Sequence, residues 1–199
     1  MPSKAAQAIP ADPRQWRPQT ASRKAKAAQI LDPIVEPWWR GTRVLAVYVE
    51  GDDWRAFGSL DLIDARGNDA SSLAPRACDQ LRRSIRATEA ILDGVLTHET
   101  IAGEKLELPE PGFVALDLLS IDRQSLLEIP LLERKRLLEG TLEQGDLVRL
   151  SPWAGPPIRS WFDSWHRAGF RGVVIKAANS RYTPGAETTE WAVLDKPPR

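Results

Sequence analysis

The chain has few of the residues on which many catalytic and structural sites depend. Its 199 residues include one cysteine, Cys78, and two histidines, His98 and His166. A single cysteine excludes an internal disulfide and a zinc site built from cysteines. No apolar run approaches the roughly 18 residues that a membrane-spanning helix needs, and the first residues lack the apolar segment of a secretory signal. We therefore expect a cytoplasmic protein with no membrane partner.

Net charge is also absent, because 27 basic residues balance 27 acidic ones. The balance is uneven, since residues 1–29 contain six basic residues and a single aspartate. A basic tail of this kind either attracts nucleic-acid phosphates or is a solvated leader. We interpret residues 1–29 as a basic, disordered leader and residues 30–199 as one folded domain, because a hydrophobic content of 42% is typical of globular proteins.

The folded part reads as short strands and amphipathic helices. Strands are predicted over 42–50, 54–63, 90–97, 112–119, 147–150, 172–175 and 189–194, and helices over 76–87, 130–140 and 156–168. Strands joined by short turns favour antiparallel sheets, and helices packed against them give an α+β fold. In the third helix, the spacing of the apolar residues places Trp161 in the core together with Phe162 and Trp165.

General catalytic motifs are missing: there is no Walker-type glycine loop, no His-x-x-x-His pair and no Gly-x-Ser-x-Gly elbow. The order of four segments is more informative. They are VEPWWRGTRVLAVYVEGDDW (35–54), ILDGVLTH (91–98), GFVALDLLSIDRQSLLEIPLLERKRLLEG (112–140) and GFRGVVIKAANSRYTPGAETTEWAVLDKP (169–197). In this order they resemble the motifs of the adenylation domain of ATP-dependent DNA ligases. The corresponding family patterns begin with E-P-K-x-D-G-x-R and L-D-G-E, and end with G-V-V-x-K and W-x-K-x-K-P.

This resemblance covers residues 30–199 and implies a ligase-type nucleotidyltransferase fold. Because the sequence stops directly after the last motif, we expect no C-terminal oligonucleotide-binding (OB) barrel. In the family, a lysine attacks the α-phosphate of ATP, and Trp38 stands at that position. An indole N–H donates a hydrogen bond but has no lone pair for attack. Two residues further on, Arg40 stands where the family has an aspartate. The resemblance therefore predicts no intact catalytic residue.

The residues that the family uses for metal and phosphate are replaced as well. Val95 and Arg171 stand at the positions of two family glutamates, and neither side chain supplies the oxygen ligands that Mg²⁺ requires. Val193 and Asp195 replace two lysines that neutralise phosphates, with Lys196 one residue out of place. We therefore predict no metal site, and expect ATP and Mg²⁺ only if the activity of the family is retained.

The resemblance nevertheless implies a set of nucleotide-binding residues. They are Glu36, Gly41, Arg43, Lys176 and Leu116, the last standing where the family stacks an aromatic residue on adenine. The two adjacent tryptophans, Trp38 and Trp39, either fill the space of the nucleotide or pack as core. The alternative is a platform on which a base stacks.

Three arginines are candidates for DNA contact: Arg40, Arg66 and Arg171. The alternatives are ion pairs with acidic neighbours for Arg40 and Arg171, and a plain turn at Arg66. Three functional hypotheses follow. The chain is a ligase homologue that cannot self-adenylate (a pseudoenzyme). Alternatively, it binds DNA, or a protein partner that supplies missing ligase parts, in DNA repair or recombination. In the third, it is an active ligase domain with a non-standard nucleophile, for which Lys176 is the remaining motif lysine.

Overall fold

The structure, a computed structural model, describes residues 9–51, 58–100 and 109–197. The strands are β1 (Thr20–Ala21), β2 (Pro33–Pro37), β3 (Thr42–Val49), β4 (Ser59–Asp64), β5 (Glu89–Thr97), β6 (Gly112–Ile121), β7 (Gln124–Ser125), β8 (Val148–Leu150), β9 (Val173–Ala177), β10 (Glu187–Thr188) and β11 (Trp191–Leu194). The α-helices are α1 (Pro75–Ser84), α2 (Leu131–Thr141) and α3 (Ile158–Arg167). The first residues of the strand predicted over 54–63 lie outside the described ranges.

Most strands form two mainly antiparallel sheets of unequal size, and β1 and β10 form a third, two-stranded parallel sheet. The large sheet has the order β4-β3-β5-β6-β7, and β8 adds to β6 in parallel. The small sheet has the order β11-β9-β2. β3 is rich in β-branched and apolar residues, and its residues 44–48 are all buried because both faces of the strand are covered. The predicted α+β fold with antiparallel sheets is confirmed.

Each helix begins at or directly after a proline, as expected for a residue whose missing N–H is not needed in the first helical turn. α1 and α2 contribute Leu81 and Leu138 to the main core against the large sheet. α3 packs on the small sheet through Phe162 and Trp165. No described helix is long and apolar enough to cross a membrane.

The prediction that Trp161 belongs to the core is wrong. Its side chain is 38% exposed, because α3 lies on the surface and only one face of it meets the small sheet. Trp161 instead packs beside Trp165, with 5.4 Å between the ring centroids. Helical spacing therefore identified the buried face of α3 but wrongly included Trp161 in it.

The N-terminal segment differs from the expected disordered leader over its described residues 9–29. Trp16 is buried in a cluster with Leu45 and Tyr182, and β1 pairs in parallel with β10. The side chain of Gln19 is buried, and its backbone N–H donates to the Tyr182 hydroxyl at 2.8 Å. Composition suggested a solvated tail, but one large aromatic residue and one short strand hold this part against the domain. Residues 1–8 lie outside the described ranges.

Candidate functional site

A cleft of about 310 Å³ lies where the small sheet, the large sheet and the N-terminal segment meet. The residues that line it are Gln19, Thr20, Ala21, Glu36, Pro37, Trp38, Trp39, Gly41, Arg43, Val95, Leu116, Val174, Lys176, Trp191 and Val193. All five residues predicted to bind a nucleotide are among them. The fold therefore brings together residues that are far apart in the sequence.

Strand register explains how the small sheet contributes to this cleft. Glu36 on β2 lies opposite Val174 on β9, which lies opposite Val193 on β11. Two residues further along β9, Lys176 lies opposite Trp191. Because side chains of a strand alternate between its faces, these residues share the face that borders the cleft.

A buried carboxylate at the base of the cleft is shared by two lysines. The Glu36 carboxylate lies 2.6 Å from Nζ of Lys135 and 3.1 Å from Nζ of Lys176. Burial alone raises the pKa of Glu36, but the two ammonium groups outweigh it and hold that pKa below its ordinary value. Nζ of Lys176 also lies 4.6 Å from the centre of the Trp191 ring.

Sequence reasoning missed Lys135. It lies on α2, within a charged helical stretch that resembles a solvated surface, and its partner Glu36 is on a distant strand. The signal that could have found it is its spacing, because Lys135 lies four residues after Leu131 and three before Leu138, on the buried face of α2. Only the packing of α2 beside the small sheet buries it.

A second buried network links the cleft to the N-terminal segment. Arg43 donates from Nε and Nη2 to the Asp93 carboxylate, at 2.5 and 2.6 Å. The Tyr182 hydroxyl donates to the same carboxylate at 2.7 Å and accepts from the Gln19 N–H. Burial and the adjacent Asp93 hold the pKa of Tyr182 well above its ordinary value, so the hydroxyl stays protonated and donates. Arg43 is thereby held in a fixed ion pair.

Trp38, the residue that the sequence resemblance sets at the position of the family nucleophile, lies at the mouth of the same cleft. Trp38 lies one residue beyond β2, where its N–H donates to the Gly172 carbonyl at 2.9 Å, and its side chain is half-buried. The Arg171 guanidinium lies 4.9 Å from the centre of the Trp38 ring, a cation–π contact. Trp39 is core: it packs edge-on against Phe170 and donates to the Ser151 hydroxyl.

The cleft does not fit a magnesium ion. Among the described residues, no group of three acidic, histidine or cysteine side chains is placed to hold a metal. The one carboxylate that lines the cleft is Glu36, and two ammonium groups already bind it. Val95 lines the cleft where the resemblance expects a glutamate, and Arg171 does not line it. Mg²⁺ needs several oxygen ligands in an octahedral array, and the described residues do not supply them.

None of the three arginines predicted to contact DNA lines the cleft. Arg40 is exposed and its Nε lies 2.5 Å from the Glu99 carboxylate. Arg66 is exposed in the turn after β4, where its backbone N–H donates to Asp64. Arg171 is exposed above Trp38. The expected alternative of an acidic partner is thus observed for Arg40, and the DNA contacts themselves stay a prediction.

The two sheets and the lysine-containing cleft between them define a nucleotidyltransferase fold of the ligase type. Residues 32–193 match the model of the ATP dependent DNA ligase domain, and the chain therefore belongs to that family. The family predicted from the four sequence segments is confirmed.

Related proteins support this assignment. DNA ligase 1 of Korarchaeum cryptofilum is 31% identical over 171 residues, which cover 76% of this chain and 30% of that protein. The multifunctional non-homologous end joining protein LigD of Mycolicibacterium smegmatis is 26% identical over 172 residues, covering 79% of this chain and 20% of LigD. The chain thus spans less than a third of the length of either relative.

A solved structure shows the same fold. A mycobacterial DNA ligase D complexed with ATP and MES superimposes with a TM-score of 0.70 at 21% identity. The match covers 92% of this chain and 60% of that one. At this identity the likeness establishes the architecture only.

Proposed function

We propose that this chain is a non-adenylating member of the ligase family, which keeps the fold of the adenylation domain without forming the lysyl-AMP intermediate. The observation that carries the proposal is the indole of Trp38 at the mouth of the cleft. Attack on phosphorus requires a lone pair on the attacking atom, and the indole N–H of Trp38 has none to offer.

The lysines near the cleft support the same conclusion. Both Lys135 and Lys176 are bound to the Glu36 carboxylate, and each is at most 3% exposed. An ammonium that is held by a carboxylate must lose a proton and leave its partner before it can attack. Val95 and Val193 supply neither a metal ligand nor a cation for a triphosphate.

The direct test is incubation with α-labelled ATP and either Mg²⁺ or Mn²⁺, followed by denaturing electrophoresis. We expect no label on this protein under conditions that label a self-adenylating ligase in parallel. A stoichiometric covalent label on the wild-type chain would contradict the proposal. The double variant Trp38→Lys with Arg40→Asp restores the family pattern and shows whether the rest of the cleft still supports transfer.

The alternative of a non-standard nucleophile has its own test. Among the described residues, Lys176 is the lysine that lines the cleft, so any label on the wild type should depend on it. Loss of that label in Lys176→Ala, with the label retained in Arg136→Ala, which removes an exposed cation outside the cleft, is the result expected if Lys176 is the nucleophile. A label that persists in Lys176→Ala excludes this alternative.

Binding of DNA is a second candidate function, and the N-terminal segment favours it. Gln19, Thr20 and Ala21 line the cleft, and the exposed side chains of Arg23, Lys24 and Lys26 follow directly along the chain. Arg23, Lys24 and Lys26 therefore concentrate exposed positive charge in the segment that directly follows these lining residues. Such a cluster binds phosphates without reading the base sequence.

Fluorescence anisotropy with a nicked duplex tests this candidate. We expect binding that weakens steeply as salt rises, because lysines and arginines release counterions from the phosphates. Changing Arg23, Lys24 and Lys26 to glutamine should reduce binding and the salt slope. Changing Arg82 on α1 and Arg86 just beyond it, which are paired with acidic residues, should not. If DNA does not bind at low salt, co-purification tests the remaining option of a protein partner from DNA repair.

A further inference from the structure

The wall of the cleft is mostly apolar. Of the fifteen described residues that line it, nine are aromatic, aliphatic or proline. They include Trp38, Val95, Leu116 and Val193, which stand where the ligase resemblance expects polar, charged or aromatic residues. A pocket of about 310 Å³ is large enough for a small molecule of one or two fused rings.

The buried charges around the cleft do not cancel. Arg43 and Asp93 neutralise each other, but Lys135 and Lys176 share the single carboxylate of Glu36. With both lysines protonated, one positive charge is in excess among these described groups, and burial accordingly holds the pKa of Lys176 below its ordinary value. A buried charge without a counter-charge is costly, and a ligand that brings one negative charge into the cleft would compensate it.

Lys176 is where such a ligand would make contact. It lines the cleft, whereas Lys135 lies behind it. Its ammonium has three N–H donors, and Glu36 takes two contacts, at 3.1 and 3.2 Å. One donor is left for a ligand on the cleft side. The ring of Trp191 beside Nζ provides an apolar surface next to the charge.

We propose that the cleft binds a small aromatic monoanion, with its anionic group at Nζ of Lys176 and its rings against the apolar wall formed by Trp38, Val95, Leu116 and Val193. The inference rests on the proposed function, because a domain that forms lysyl-AMP must accept a triphosphate in the same space.

The same geometry discriminates against polyanions. A triphosphate brings several negative charges, whereas the buried groups of the cleft have one uncompensated positive charge. Val193, which is 43% exposed at the cleft, gives the further phosphates no cation. The structure therefore predicts that the cleft binds a ligand with one negative charge more tightly than a neutral ligand or a polyanion.

Isothermal titration calorimetry of the whole chain with three probes tests this preference. Naphthoate is an aromatic monoanion, naphthamide is its uncharged analogue of nearly the same shape, and ATP is the polyanion. We expect naphthoate to bind at least tenfold more tightly than either of the others, since a charge-assisted hydrogen bond contributes about that factor or more. Equal affinity for naphthoate and naphthamide, tighter binding of ATP, or no binding of naphthoate at millimolar concentration overturns the proposal.

Three variants locate the site. Lys176→Met removes the excess charge while leaving Glu36 paired with Lys135, and should abolish the preference for naphthoate over naphthamide. Arg136→Met removes an exposed cation on α2 that does not line the cleft, and it should change nothing. Val193→Lys adds a cation at an exposed position of the wall and should shift the preference toward ATP. An unchanged preference in Lys176→Met, or none of the expected shift in Val193→Lys, overturns the assignment. Failure of the proposed function would appear separately, as covalent label from ATP.

Discussion

Two regions of the domain, a buried scaffold and a reactive region that lines the cleft, differ in what they retain of the ligase pattern. The scaffold region, formed by Asp93, Asp117, Arg134 and Tyr182, consists of buried polar groups that are paired with one another. Asp117 and Arg134 are fully buried and joined by two hydrogen bonds of 2.9 and 2.7 Å. The reactive region, formed by Trp38, Val95 and Val193, lacks the amine, carboxylate and cation that the family patterns have at those positions.

The difference follows from what each group does for the folded state. Removing one partner of a buried ion pair leaves an unpaired charge in the interior, so a substitution in the scaffold strongly destabilises the folded state. A catalytic lysine or metal ligand at the mouth of a cleft contributes little to folding, and an apolar replacement can even stabilise. Retention of the scaffold is therefore evidence about the fold and not about catalysis.

The largest loss of stability is expected when a buried ion pair of the scaffold is removed. Arg134→Met should lower the free energy of unfolding by about 3–5 kcal/mol, because it leaves the Asp117 carboxylate buried without its cation. Arg134 also donates to the carbonyls of Ile129 and Ser180, which would lose a donor. Urea unfolding followed by tryptophan fluorescence measures the change.

Arg136→Met on the same helix is the matched control. Arg136 is 58% exposed and pairs with the exposed Glu133, so its loss should cost less than about 1 kcal/mol. Equal costs for Arg134→Met and Arg136→Met would show that the scaffold pair is not a stabilising feature, and would remove the distinction between the two regions.

The next largest loss of stability is expected when Glu36 is changed. It should exceed the loss expected when Lys176, one of the two lysines that bind Glu36, is changed. Glu36→Gln leaves two buried ammonium groups without a carboxylate and should cost about 2–3 kcal/mol at neutral pH. Lys176→Met leaves one balanced pair and should cost clearly less. Thermal unfolding of both variants gives the comparison, and a greater loss for Lys176→Met would contradict the excess of positive charge inferred for the cleft.

The pH dependence of stability tests the same group in a different way. The pKa of Glu36 in the folded state lies below its ordinary value of 4.5, so its stabilising contribution is complete above about pH 4.5 and disappears as the pH falls through the lower, folded value. The difference in unfolding free energy between wild type and Glu36→Gln should therefore be constant near neutral pH and shrink in acid. A constant difference down to the acid limit of folding would show that Glu36 is not held ionised by the two lysines.

The sequence predicted the family, the α+β class and five residues that meet in the cleft, because each of these depends on local patterns in the right order. It did not predict Lys135 as part of the site. Helical spacing puts Lys135 on the same face of α2 as the buried Leu131 and Leu138, but it does not give the partner. The contact of Lys135 with Glu36 depends on how α2 packs beside the small sheet. The N-terminal segment was misjudged for a similar reason, since the packing of Trp16 and the pairing of β1 with β10 are contacts with distant residues.

A smaller loss of stability is expected where Tyr182 of the scaffold holds the N-terminal segment. Tyr182→Phe removes the hydroxyl that donates to Asp93 and accepts from Gln19, and should cost about 1–2 kcal/mol. Hydrogen exchange should accelerate most over residues 16–22. Acceleration spread evenly over the domain would instead indicate a general loss of packing. Trp161→Gln, at a half-exposed position of α3, is a control that should leave this segment unchanged.

The smallest change in the free energy of unfolding is expected for a substitution beside the reactive region. Arg171 contacts the ring of Trp38 from an exposed position, and an exposed cation–π contact contributes about 0.5–1 kcal/mol. Arg171→Gln should therefore barely change the free energy of unfolding, while Arg171→Glu, which reverses the charge beside the cleft, should weaken naphthoate binding without weakening naphthamide binding. If Arg171→Gln destabilised the domain as much as Arg134→Met does, the reactive region would be as constrained by folding as the scaffold, and the residues found at positions 38, 95 and 193 would need a different explanation.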